Sequence, residues 1–486
     1  MRFAYLAWLG LAAASVQPVA AAEGPLHFDA CRLATGSLPA AFAHCATLTV
    51  PEDPRKPEGR TVELFVARVG AQTATPRPDP LVIIAGGPGQ STVDFYLQVR
   101  RQFEPVRRDR ELVLLDQRGT GRSAGDLTCE TPDDLSLAMA GTEALERYVE
   151  RCLAEIDGNP RFYTTSVAVQ DLERVRAALG VEQWNLYGVS YGTRVAQHYL
   201  RRFPERTRAV ILDGVVPADV ALGPDVAPHA QAALERLFAR CAEDAACADR
   251  FGDVEARFRA LAAAVAERPL EAEPLDARSG RRTPVAFTSA HLQAVVRFMS
   301  YSPATASLLP LLVTEALEGN PGPLVSQART LLQNLPEALS FPMHNSVVCT
   351  EDYPFFPVDA RAGLGETYLG TVIVDGLEAI CSRWPRGVMD DDFKEPVVSD
   401  RPVLLLSGEH DPITPPAYAE RAIAGGLRRS AHLVGPGQGH GLLGVGCVPR
   451  LMRAFLESAD PAAVDGDCVA REPPPPFFLS FMGPAP

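Results

Sequence analysis

The stretch Trp184-Asn-Leu-Tyr-Gly-Val-Ser190-Tyr-Gly-Thr193 leaves little choice of local structure. A short apolar strand runs into a Gly-x-Ser-x-Gly turn, and the residues from Tyr191 to about Arg201 have the composition of a helix. A serine hydroxyl is a weak nucleophile. A sharp strand-to-helix turn lifts it clear of a sheet and aims the following backbone N–H groups at a reacting carbonyl. Gly188 and Gly192 flank Ser190 where side chains would collide with neighbouring elements. The motif alone is a weak signal, since about 0.2 matches are expected by chance in a chain this long. A second match, Gly121-Arg-Ser123-Ala-Gly125, runs into Asp-Leu-Thr-Cys-Glu-Thr-Pro, which is loop composition with no amphipathic helix. Ser190 is therefore the candidate nucleophile and Ser123 a turn residue.

The surroundings of the turn predict an α/β fold. Residues from about Thr47 to Val69 alternate as an antiparallel pair at a sheet edge. Pro80-Leu-Val-Ile-Ile-Ala85 and Glu111-Leu-Val-Leu-Leu115 are continuous apolar runs, as in strands buried on both faces. Val169 to Leu179 is amphipathic and ends at Gly180, and Arg208-Ala-Val-Ile-Leu-Asp213 follows as another strand. Strands alternating with helices imply a mainly parallel sheet. From about Pro217 to Glu395 helical patterns dominate: His229–Cys241, Val254–Glu267, Ser289–Met299 and Ala306–Leu317. Strand texture returns at Pro402–Ser407 and Ala431–Val434. The expected organisation is a core in two parts, 23–216 and 396–486, with a large helical cap inserted at 217–395. The Pro-rich end, Arg471-Glu-Pro-Pro-Pro-Pro-Phe-Phe-Leu, is extended and packs on the surface.

A serine nucleophile needs a histidine base and a carboxylate that orients it. The strand ending at Ser407 runs into Gly408-Glu-His-Asp411-Pro, and the strand ending at Val434 runs into Gly435-Pro-Gly-Gln-Gly-His440-Gly. Asp411 and His440 are the candidate partners, with Glu409 as the fall-back acid; His432, inside a strand, reads as a packed or edge residue. An oxyanion must be met by pre-aimed N–H donors. One is the N–H of Tyr191. The other is expected from Gly86-Gly87-Pro-Gly89-Gln-Ser91 after an early strand, with Gly87 preferred and a neighbour possible. No Gly-Lys-Ser/Thr follows, so this is not a nucleotide-binding loop.

Residues 1–22 read as a signal peptide: Arg2, an apolar run from Phe3 to Val16, and Ala20-Ala21-Ala22 before Glu23. The ten cysteines then suit disulfides, and pairing each with its sequence neighbour is the simplest connectivity. No metal-ligand spacing is present, so no metal or other cofactor is expected. A net charge of −14 disfavours nucleic acid as a partner. No later run is long and apolar enough for a stable membrane anchor. A secreted or periplasmic location is expected, and the sequence does not set the oligomeric state.

Ile84-Ala-Gly-Gly-Pro-Gly-Gln-Ser91, Asp116-Gln-Arg-Gly-Thr-Gly-Arg-Ser123, Gly188-Val-Ser190-Tyr-Gly192, Leu212-Asp-Gly-Val-Val-Pro217, Gly408-Glu-His-Asp411-Pro and Gly439-His440-Gly together resemble the proline iminopeptidase and tripeptidyl-aminopeptidase family of serine peptidases. The resemblance implies an α/β-hydrolase core with an inserted cap. It also implies release of one residue or a short peptide from a substrate with a free N-terminus. Ala85 stands where single-residue iminopeptidases commonly have His, and the cap is longer, which argues against strict single-proline release. Recognition of the substrate ammonium requires a carboxylate or strong acceptors. Glu351, followed by Asp352, in Val347-Val-Cys-Thr-Glu-Asp352 is the candidate clamp; an exposed acidic pair in a loop is the plainer alternative. Asp116 and Arg118 are expected to brace the turn near the site. A secreted carboxylesterase with the same triad is the alternative enzymatic reading, and a non-catalytic binding protein the alternative of another class.

Overall fold

The computed structural model describes residues 26–484 apart from 37, 126, 130–140 and 275–279. The expected signal peptide lies outside the described residues. The central sheet has nine strands: β1 (Asp29–Leu33), β2 (Ala41–Pro51), β3 (Thr61–Val69), β4 (Leu81–Ile84), β5 (Leu112–Leu115), β6 (Trp184–Val189), β7 (Thr207–Asp213), β10 (Val403–Gly408) and β11 (Ser430–Gly435). Between them in the chain, β8 (Leu270–Ala272) and β9 (Val285–Phe287) form a separate two-stranded hairpin. The main sheet runs in the order β1-β2-β3-β5-β4-β6-β7-β10-β11. From β5 to β11 all pairings are parallel, and β1, β2, β3 and β5 pair antiparallel in turn.

Every residue of β4, β5, β6 and β10 is buried. Side chains alternate across a strand, so such strands need an apolar layer on each face. Two layers supply it. Val82, Ile84, Leu186, Val210, Leu212 and Leu405 face one. Leu81, Ile83, Tyr187, Ala209, Ile211 and Leu406 face the other.

Strand β4 leads to β5 on one side, whereas β6 leads to β7 on the other, so the order reverses between β4 and β6. In an open α/β sheet a crevice forms outside the carboxyl ends of the strands at such a point. The loop after β4 and the turn after β6 both open there.

Between β7 and β10 the chain adds no strand to the main sheet. It forms helices including Val226–Glu243, Val254–Glu267, Ser289–Met299, Leu309–Leu317, Gly322–Ala338, Phe341–Glu351 and Val372–Cys381. The first five enclose an apolar core of their own, built on Leu237, Phe251, Phe258, Leu292, Val296 and Leu312, whereas Phe341–Glu351 sends Met343 and Val347 into one of the sheet's layers. The C-terminal tail differs from the expectation of surface packing. Its prolines hold it out of a helix, yet Phe477 is inserted into this core, with the Arg240 guanidinium 4.2 Å above its ring. The turn Leu339–Ser340 ties these helices to the loop after β4: Ser340 N donates to Gly89 O at 2.9 Å.

Five disulfides join sequence neighbours: Cys31–Cys45, Cys129–Cys152, Cys241–Cys247, Cys349–Cys381 and Cys447–Cys468. Cys349–Cys381 closes the longest loop, 32 residues, and joins helices Phe341–Glu351 and Val372–Cys381. Replacing both of its cysteines by serine is expected to lower unfolding stability by roughly 3–4 kcal/mol through the freed chain entropy of the unfolded state. Urea titration of the variant beside the parent checks this; an unchanged midpoint would refute it.

Candidate active site

Strand β6 ends at Val189, and Ser190 takes φ 56° and ψ −127° before the helix Tyr191–Arg202 begins. Positive φ on a residue with a Cβ costs about 1–3 kcal/mol and must be held by its neighbours. Ser190 N donates to Asp213 O at 2.9 Å, and Ser190 O accepts from Thr193 N at 2.8 Å and Thr193 Oγ1 at 2.6 Å. The flanking glycines are sterically required. A Cβ on Gly188 would collide with Gly192 O, and one on Gly192 with Ile84 O. The hydroxyl of Ser123, by contrast, is buried and accepts Phe65 N at 2.8 Å, a turn bond that anchors β3.

The loop after β4 passes over this turn: a Cβ on Gly86 would lie 2.9 Å from the Cβ of Ser190. The Gly86 N–H is occupied by Gln90 Oε1 at 3.3 Å. Gly87 follows at φ 107°, a conformation open to glycine. Asp116 fixes this loop from below. Its carboxylate accepts Ser91 Oγ at 2.9 Å, Val93 N at 3.0 Å and Arg122 N at 2.9 Å. Arg118 braces the same turn through two bonds to Asp171, at 2.6 and 2.8 Å.

The loops after β10 and β11 bring Asp411 to His440. His440 Nδ1 lies 2.8 Å from Asp411 Oδ2. Asp411 also accepts Ile413 N and Thr414 N, each at 2.9 Å, and Thr414 Oγ1 at 2.7 Å. Thr414 Oγ1 stands 3.1 Å from His440 Nδ1. Glu409 instead accepts Gly437 N at 2.8 Å with its side chain half exposed, so it is turned away from the imidazole. His432 lies on the edge strand with Nε2 2.9 Å from Ser407 Oγ. The His440 N–H donates to Tyr301 O at 2.7 Å, and the two rings meet edge-on at 5.0 Å. Ser190 Oγ makes no hydrogen bond to His440 in this arrangement; such bonds often tighten only when substrate is engaged.

Glu351 and Asp352 end the helix Phe341–Glu351 and are wholly buried rather than exposed in a loop. Glu351 accepts Thr165 N at 2.7 Å and Thr165 Oγ1 at 2.9 Å, and Thr165 Oγ1 is 2.6 Å from Tyr191 Oη. Asp352 pairs with Arg194 at 2.9 Å and accepts Leu222 N at 2.9 Å. The pair therefore lies behind Tyr191.

Residues 79–267 match the family of the alpha/beta hydrolase fold, and residues 366–468 match the family of TAP-like proteins. The chain has the α/β-hydrolase fold. It is 32% identical over 225 residues to the serine protease Hip1 of Mycobacterium tuberculosis, an alignment covering 42% of each chain. It is 31% identical over 220 residues to the tripeptidyl aminopeptidase of Streptomyces lividans, covering 42% of this chain and 40% of that one. A proline iminopeptidase of Xylella fastidiosa is 32% identical over 144 residues, 30% of this chain and 34% of its own. The chain thus spans less than half the length of these curated relatives.

The electrostatics of this α/β-hydrolase site favour an ion pair in waiting. Burial pushes His440 down, but the Asp411 charge and hydrogen bond outweigh it, Asp213 adds to them, and the imidazole is held above its ordinary value. Burial also opposes charge on Asp411, yet His440 and the Thr414 donors hold its carboxyl below the usual range.

Asp213 lies in the stretch Leu212–Pro217 that carries the family resemblance, but the sequence alone gives it no role; it reads as an acid closing the apolar run Ala-Val-Ile-Leu. It is completely buried and takes three donors: Leu442 N at 2.7 Å, Leu443 N at 3.0 Å and Tyr187 Oη at 2.8 Å. Its carbonyl holds Ser190 N. One residue therefore links the turn to the loop bearing His440. Tyr301 and Thr414 were missed because neither lies in a recognisable pattern.

Two outcomes are expected with a fluorophosphonate probe of Ser190. The labelling rate should rise with pH as His440 loses its proton, with a midpoint above about 6.5; Asp411→Asn removes the raising influence, so the midpoint should move to lower pH while the rate falls. Asp213→Asn places an N–H₂ against donors and should slow labelling about a hundredfold by displacing the His440 loop. A pH limb unmoved by Asp411→Asn would contradict the ion-pair assignment. Parental labelling by Asp213→Asn would remove Asp213 from the positioning of the site.

Proposed function

We propose that the chain is an exported serine aminopeptidase, releasing an N-terminal residue of proline type or a short peptide such as a tripeptide. The observation that carries the reading is the 2.8 Å His440–Asp411 pair set beside the strained Ser190 turn.

Ser190 Oγ attacks the scissile carbonyl while His440 Nε2 takes its proton. Asp411 fixes the Nδ1–H tautomer and offsets the imidazolium charge. The oxyanion is met by the N–H groups of Tyr191 and Gly87; one such donor contributes about 3–4 kcal/mol at the transition state. His440 then gives its proton to the departing amine. The acyl-enzyme forms, and water activated by the same imidazole releases the acid. Protein groups and water balance every step, with no cofactor called upon.

A free N-terminus adds an ammonium whose burial requires a carboxylate. Glu351 is the assigned clamp, one hydroxyl link behind Tyr191. Burial pushes its carboxyl up, against the Arg194 charge and the Thr165 donors. An arriving ammonium replaces those donors and draws the group into its charged form. Asp352, already neutralised by Arg194, holds that guanidinium in place. The five disulfides support an oxidising compartment outside the cytoplasm. Among the described residues no helix is long and apolar enough to cross a membrane.

The test is turnover of Pro-, Ala- and Ala-Ala-Pro-aminomethylcoumarin, each free and N-acetylated, beside p-nitrophenyl butyrate. Amide cleavage should require the free N-terminus and fall roughly 10⁶-fold in Ser190→Ala. Glu351→Gln should raise KM for the free-amine peptides about tenfold or more, beyond any effect on the ester. Equal losses on both would make Glu351 a structural part of the wall. Ester turnover without any amide cleavage would overturn the peptidase reading in favour of a carboxylesterase.

A further inference from the structure

The helix Ser289–Met299 sends Arg297 to the edge of the site, and its charge has no counterpart. Its guanidinium lies over the rings of Phe298 at 5.0 Å and Tyr301 at 5.9 Å, and Nη2 is 3.3 Å from Tyr301 Oη. Tyr301 is the residue whose carbonyl accepts the His440 N–H and whose ring packs against the imidazole. Arg297 is therefore one side chain away from the base.

Arg297 is half-buried; four arginines that are buried outright face acids, Arg110 with Asp79, Arg118 with Asp171, Arg176 with Glu173 and Arg194 with Asp352. Among the described residues Arg297 pairs with no carboxylate. Its Nε is buried without a hydrogen-bond partner, and so is the hydroxyl of Tyr368. Arg297 accounts for the acceptor side of Tyr301 Oη, leaving that hydroxyl's proton to give. Arg297 and Tyr301 both act electrostatically on the Tyr368 phenol, so the three side chains together offer guanidinium and phenol donors with no carboxylate partner among the described residues. Orphaned buried donors and an unpaired cation are costly to keep. Near the base the cost is larger, because Arg297 opposes Asp411 and disfavours the imidazolium that catalysis must form. A carboxylate is the ligand that satisfies such a set, since it accepts at two oxygens and presents its charge to the planar fork.

We propose that Arg297, with Tyr301 and Tyr368, binds a carboxylate of the substrate and makes the enzyme selective for anionic substrates. The inference rests on the hydrolase reading of the site and deepens it by naming a substrate class. The same chemistry comes from two sources: the C-terminal carboxylate of a short peptide, or an acidic side chain beside the scissile bond. When bound, the carboxylate also neutralises Arg297 and relieves its opposition to the imidazolium, so recognition and proton transfer are coupled.

The test compares Ala-Ala-Pro-Ala as free acid and as C-terminal amide, and Ala-Ala-Pro-Glu amide as the side-chain form. Cleavage is followed by kcat/KM, and binding is measured separately by calorimetry on Ser190→Ala protein. One or both carboxylate forms should exceed the neutral amide by about ten- to a hundredfold, and the form that does identifies the source. Arg297→Met should bring that ratio near one, Arg297→Lys should restore part of it, and Tyr368→Phe should lower it several-fold with the charge intact. Equal use and equal binding of acid and neutral forms by the parent would overturn the proposal, as would a ratio that survives Arg297→Met. If Arg297→Met fails to fold, the Tyr368→Phe ratio decides. Preferential binding of an acid form without amide cleavage would leave this inference standing while the peptidase reading fell.

Discussion

The Ser190 turn and the His440 loop belong to different parts of the chain, and a single buried carboxylate residue joins them. Asp213 gives its carbonyl to Ser190 N and its carboxylate to the amides of Leu442 and Leu443. It can do so because β7 lies between β6 and β10 in the sheet. Such a carboxylate is expensive to desolvate, and burial does push it up. Three donors offset that cost, and none of them can leave without exposing a buried charge to an apolar layer. The same residue thereby resists two relaxations: flattening of the positive φ at Ser190 and withdrawal of His440. Strain at a serine and precision at a histidine are thus one mechanical problem with one solution.

Much of the core was legible in the residues, for physical reasons. Strands β4, β5, β6 and β10 are buried on both faces, so they must be continuously apolar, and such runs are hard to misread. The helices Val254–Glu267 and Ser289–Met299 begin where the sequence placed them because Asp253 and Thr288 cap their first turns. The expected helix Ala306–Leu317 is broken instead into Pro303–Ala306 and Leu309–Leu317, since Pro310 cannot donate within a continuous helix. Strand β1 was not read because it is short and mostly exposed, and it displaces β2 from the sheet edge. The helix Phe341–Glu351 escaped because it is buried nearly all round and shows no amphipathic period.

The site was legible to a different extent on its two sides. Ser190, Asp411 and His440 announce themselves because strained turns and glycine-rich loops have a local chemistry that sequence records. Asp213 and Tyr301 contribute through contacts 229 and 139 positions away along the chain, which no local pattern records, while Thr414 reaches Asp411 three positions before it within a single turn. Glu351 and Asp352 were found as acids, but their burial behind Tyr191 could not be read, since it depends on where an inserted helix comes to rest.

The charges of two arginines, Arg194 on the helix after Ser190 and Arg297 in the inserted part, are met differently. Arg194 is paired with acids: Asp352 and Glu351 raise its affinity for its proton against burial, and Lys394, pushed down to about 8 by burial and by Arg194, adds a second cation to these two acids. Arg297 has no such acid partner among the described residues. The two matched family stretches, 79–267 and 366–468, contain Ser190, Asp213, Asp411 and His440, whereas Arg297, Tyr301 and Glu351 fall between them. The residues of the proposed triad therefore lie inside the matched stretches, and the groups proposed to choose a substrate lie between them. On the proposed reading, charge balance separates the two: Arg194, met by acids behind Tyr191, is structure, whereas Arg297, beside the base with no carboxylate partner among the described residues, is the group that would select an anion.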